Sequence, residues 1–82
     1  MPLPQDRYVL YDPQMHAVIP DPQSPHLPFT ESRRSDALLY AGFEAQDRGH
    51  DVLVVDRMAH HGQTERWRVS PTGEVTPHSQ SP

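Results

Sequence analysis

The spacing of hydrophobic positions changes along this chain, and each change predicts an element. RYVLY (7–11) is aromatic and β-branched and runs into the turn-forming DPQ (12–14), after which HAVI (16–19) can return beside it as the second strand of a hairpin. TESRRSDALLYAGFEAQDRG (30–49) has the helical period, with Thr30 and Ser32 as capping candidates at its start and Gly49 as its stop. At about 100° per residue, Leu38, Leu39, Ala41, Gly42, Phe43 and Ala45 share one arc, and Asp36, Glu44, Asp47 and Arg48 take the other. The small residues of that arc let the helix approach a flat surface, with Leu38, Leu39 and Phe43 expected to reach past them into the core.

DVLVVD (51–56) is apolar without alternation, as expected of a strand buried on both faces or central in its sheet, and it is read as the central strand. TERWRVS (64–70) does alternate: Trp67 and Val69 share one side, Arg66 and Arg68 the other. PTGE (71–74) then makes a turn, after which Val75 can add a short edge pairing. The resulting expectation is a small two-layer α+β domain of order β-β-α-β-β. One helix packs on one face of a four-stranded sheet, five-stranded if Val75 pairs, and Trp67 and Phe43 are buried between the layers.

Proline interrupts this pattern in one place. Four of the ten prolines fall in PDPQSPHLPF (20–29), where fixed φ angles and missing donors exclude helix and central strand, so an extended loop is expected. Residues 1–5 and the polar TPHSQSP end (76–82) offer little to bury. A single domain over residues 6–76 follows, with residues 1–5 and 77–82 as frayed ends.

Composition narrows the chemistry. With 82 residues the core is thin, and a buried catalytic cleft is not expected. No cysteine is present, which removes thiol nucleophiles, thiolate metal sites and any disulfide case for secretion. MPLPQDRYVL lacks the pattern of a signal peptide and no apolar run is long enough to span a bilayer, so a cytoplasmic location is expected. The formal charge is −4, which gives no general attraction to nucleic acid or anionic lipid. All seven basic residues are arginine, a bias that a GC-rich genome explains and that planar, bidentate contacts would also favour.

Three groups of residues carry functional expectations. RMAHHGQTERWRV (57–69) connects the third expected strand to the fourth, and His60 and His61 with Glu65 or Asp56 could bring imidazole and carboxylate donors to a metal ion. The spacing matches no high-specificity ligand pattern, and a His61-Gly62 bend accounts for the residues without a metal and is the preferred reading. Arg57, Arg66, Trp67 and Arg68, extended by Arg33 and Arg34, resemble a base-stacking platform with phosphate contacts. The alternation opposes this, because Trp67 toward the helix leaves Arg66 and Arg68 alone on the open side.

The third group is that open side. Val9, Tyr11, Arg57, Arg66 and Arg68 combine aromatic, aliphatic and guanidinium groups, the mixture enriched at protein interfaces. No glycine-rich phosphate loop, nucleophile elbow or zinc-protease motif occurs. The expectation is therefore a non-enzymatic interaction module without a cofactor, an adaptor or inhibitor of the bacterial or phage accessory kind. Its open face would bind a protein partner or a second copy of itself. Nucleic-acid binding and histidine-based metal binding are the alternatives, and no membrane role is expected.

Overall fold

The computed structural model describes residues 7–59 and 65–78. They form β1 (Tyr8–Asp12), β2 (Ala17–Val18), β3 (Thr30–Glu31), α1 (Arg34–Arg48), β4 (Val52–Asp56), β5 (Arg66–Val69) and β6 (Val75–Pro77). All pairings are antiparallel, in the order β2-β1-β4-β5-β6, with β3 also on β1. One helix on one face of this sheet is the expected two-layer α+β architecture. The sheet has six strands: the four expected, the edge pairing expected at Val75, and β3 in addition.

The added strand explains the proline segment. β2 pairs with Tyr11 and Asp12, and β3 pairs with Tyr8 and Val9, so both lie along the same edge of β1. Leu10 joins them: its N–H donates to the Phe29 carbonyl, its carbonyl accepts from Ile19 N–H, and Phe29 N–H donates to the Ile19 carbonyl. The intervening residues leave this edge as a lobe closed by a Pro20–Pro28 bridge. Thr30 is therefore a strand residue and not a helix cap. The helix starts at Arg34 behind Arg33 in an extended conformation, without any side-chain cap. Its other end behaves as expected, with Gly49 left-handed at φ 75° and its N–H bonded to Ala45.

The core lies between α1 and the facing side of the sheet. Tyr8, Leu10, Val52, Val54 and Val69 meet Ala37, Ala41 and Ala45, with Ile19 and Phe29 from the split edge and Leu38 and Trp67 at its margin. The expected orientation of Trp67 holds: it packs toward the helix side, 6.2 Å from the Tyr8 ring. Phe43 and Leu39 do not join it and stay exposed, at 56% and 54%. The apolar arc counted on the helix is about 200° wide, and a flat sheet covers only about half of that. The alanine side, spaced i, i+4, i+8, wins because it brings the helix axis closest to the strands.

Close approach through alanine makes the interface intolerant of volume. Ala41 is fully buried, so Ala41→Leu is expected to cost about 1–3 kcal/mol by overpacking. In a domain of this size each kcal/mol lowers the melting temperature by roughly 4–8 °C. A thermal melt followed by circular dichroism measures it.

At the last strand the ladder passes the expected boundary at residue 76. Pro77 pairs with Trp67, and His78 N–H donates to the Arg66 carbonyl. No described helix is long and apolar enough to cross a membrane.

Candidate interaction surface

The sheet face turned away from α1 is built by alternation. Val9 and Tyr11 of β1 sit beside Val55 and Leu53 of β4, which sit beside Arg66 and Arg68 of β5. Among the described residues no element packs on this face. Val9 and Leu53 are only 8% and 5% exposed; Leu53 lies between Tyr11 and Arg68 in the register, and Val9 beside Val55. Arg57 stands at the exit of β4, its N–H bonded to the Arg7 carbonyl. The five residues expected to form a partner surface are therefore found on this side or at its margin.

Both edges of the sheet are short, which disfavours strand addition. On one side β2 and β3 are two residues each, interrupted by the proline lobe. On the other, the bonds from Ser70 N–H to Glu74 and from His78 N–H to Arg66 fix the alternation along β6. Val75 and Pro77 thus direct their backbone groups outward, and proline has no N–H to offer.

The nucleic-acid residues do not assemble into one platform. Arg34 places its guanidinium 5.6 Å from the centre of the Trp67 ring on the helix side, while Arg66 and Arg68 lie on the other face. Arg33 is at the helix start, exposed. The unfavourable position of an arginine at a helix N-terminus is offset for Arg34 by this cation–π contact. Arg68 lies 3.7 Å from Asp51 and 3.5 Å from His78.

Of the metal-ligand candidates, His60 and His61 lie outside the described residues. Glu65 is exposed, and its carbonyl accepts the Asp56 N–H. The Asp56 carboxylate is engaged by Arg7 in a bidentate pair at 3.0 and 3.1 Å and also accepts the Met58 N–H. Among the described residues no cluster of three or more histidine or carboxylate side chains could hold a metal ion.

A heavily bonded polar group was missed by sequence reasoning. Asp12 is 2% exposed. Its carboxylate accepts from the Gln14 and Met15 N–H groups, from Arg48 at 2.8 Å, and pairs with His50 Nε2 at 2.9 Å. Arg48 in turn bonds Glu44. Burial alone would push the Asp12 carboxyl up; the Met15 N–H, His50, Arg48 and the Gln14 N–H outweigh it and hold it at about 2. The sequence signal was the alternation itself, which puts Asp12 on the same inward side as Tyr8 and Leu10. Asp56 is its counterpart on β4, inward after Val52 and Val54. Asp56, named from the sequence as a candidate metal ligand, is instead buried and paired with Arg7. Because β1 and β4 are antiparallel, the two aspartates close opposite ends of the core, each with its own arginine.

His50 also borders an open depression of about 410 Å³ with Pro13, Gly49, Asp51 and Arg68. No serine, threonine or cysteine lines it among the described residues. On the helix, Leu39 and Phe43 flank a groove of about 300 Å³ whose other wall is Val69, Pro71 and Gly73. The chain matches no protein-family model, no curated protein and no solved structure.

Proposed function

We propose that this domain is a non-enzymatic protein–protein interaction module, an adaptor or inhibitor, that presents its open sheet face to a protein partner. The observation that carries this reading is the placement of Tyr11, Arg66 and Arg68 around the Val9, Leu53 and Val55 floor, on a face no described element covers. Tyrosine and arginine supply large contact area and planar hydrogen bonding, and they dominate the energetics of many interfaces. Short, proline-interrupted sheet edges favour the face over strand addition as the route of recognition. Separation of Trp67 from Arg66 and Arg68 weakens the nucleic-acid alternative, as does the net charge of −4. The setting this reading takes is the cytoplasm of a bacterium or its phage, in keeping with a chain that has no cysteine and uses arginine alone as its cation.

A tagged pull-down from source-cell lysate, with and without nuclease, tests it. A stoichiometric protein that survives nuclease is expected, and Tyr11→Ala/Arg66→Ala/Arg68→Ala should weaken its capture by at least about tenfold, one hot-spot contact's worth. Recovery that collapses with nuclease would replace the reading by nucleic-acid binding. Capture untouched by the triple substitution would remove the face assignment.

A further inference from the structure

We propose that the outward face of α1 is a second docking site, independent of the sheet face, and that it takes a basic amphipathic segment of a partner protein. The face carries Leu39, Tyr40 and Phe43, exposed at 54%, 40% and 56%. An amphipathic helix packed on a sheet ordinarily shows charged residues there. Three large apolar side chains on adjacent turns form a contiguous patch, unlike scattered exposed residues, which carry no meaning singly.

The patch is also held in shape. Tyr40 lies 5.6 Å from the ring of buried Phe29 and 6.4 Å from that of Phe43, so the aromatic row is anchored to the core. Rigid aromatic groups lose little conformational entropy on binding. The groove beside Leu39 and Phe43 gives an apolar side chain of the partner a place to enter.

Charge identifies the occupant. Asp36 and Asp47 stand near the two ends of the patch, while Glu44 between them is neutralised by Arg48. Beyond the helix start, Asp21 and Glu31 add to the same side: burial first, then Asp36 and Asp21, hold the Glu31 carboxyl above its usual value. The neighbouring cations are mostly turned away, Arg34 onto Trp67 and Arg48 onto Asp12 and Glu44. Arg33 at the helix start is exposed and opposes the acidic charge at that end. An apolar centre with an acidic rim is the complement of a helix or strand bearing large apolar residues flanked by lysine or arginine.

Fluorescence anisotropy with a labelled leucine–lysine amphipathic helical peptide tests this, with a leucine–glutamate peptide of the same apolar spacing as control. At about 0.15 M salt the basic peptide is expected to bind at least about tenfold more tightly than the acidic one. Phe43→Ser should weaken it by about tenfold, and Asp36→Asn/Asp47→Asn should weaken it and flatten its salt dependence. Arg66→Ala/Arg68→Ala should leave it unchanged, which separates this site from the sheet face. Leu39→Ser serves as a second apolar variant should Phe43→Ser melt without cooperativity. Equal binding of the two peptides, or indifference to both apolar variants, overturns the proposal. So does a wild-type dimer in sedimentation equilibrium that Phe43→Ser dissociates, because a second copy would then be the occupant.

Discussion

Asp12→Ala is expected to cost about 3–5 kcal/mol, the usual result of removing one partner from a buried ion pair. At roughly 0.05–0.15 kcal/mol per residue the whole domain is stabilised by only about 4–12 kcal/mol, so the substitution removes from about a quarter to all of that stability. The loss comes from several groups together. Arg48 and His50 would face a buried vacancy, and the Gln14 and Met15 N–H groups that shape the β1–β2 turn would lose their acceptor. Urea unfolding measures it as a fall in midpoint. The same carboxylate makes stability depend on acid. Its folded value of about 2 lies below the ordinary 3.8, so its contribution is fully present above about pH 4 and is lost as pH falls from there toward 2. That contribution is on the order of 2 kcal/mol. It is smaller than the truncation cost because a protonated carboxyl still fills the site. Asp12→Asn should fall between the two and largely abolish this share of the acid dependence.

Leu10→Ala is expected to cost about 2–5 kcal/mol. Leu10 is fully buried, and its backbone is the point where β2 and β3 meet β1. A cavity there borders Ile19 and Phe29, which come from either side of the proline lobe and cannot collapse inward without breaking their bonds to Leu10 and to each other. Chemical denaturation should show a lower midpoint with an unchanged slope. Phe43→Ala, on the exposed side of the helix, should change stability by no more than about 0.5 kcal/mol. A reversed order would mean that the helix is rotated about its axis relative to this packing.

Local patterns made much of this fold legible. The hairpin at Asp12, the central β4 and the inward turn of Trp67 follow from residue type and alternation. Helix phase was read less well: Leu39 and Phe43 belong to the apolar arc, and nothing local says which half of a wide arc the sheet covers. β3 was unreadable because two residues carry no period, and Thr30 there has the composition of a helix cap. The Asp12 cluster draws on Arg48 and His50, 36 and 38 positions away, and such pairings are set by tertiary contact. Of the surface residues, Arg66 and Arg68 were placed by alternation with Tyr11, whereas the acid-rimmed helix face emerged only once Leu39, Tyr40 and Phe43 were found outside the core.

The split edge of β1 has an engineering consequence. Because Leu10 secures Ile19 and Phe29 directly and the Pro20–Pro28 bridge closes the neck, the chain beyond that neck is not needed to complete the ladder. Doubling the length of such an excursion adds only about 0.6 kcal/mol of closure entropy. A foreign peptide spliced in at this position would leave the β1–β4 register untouched. The domain is in that sense a display scaffold, with its insertion point already clamped.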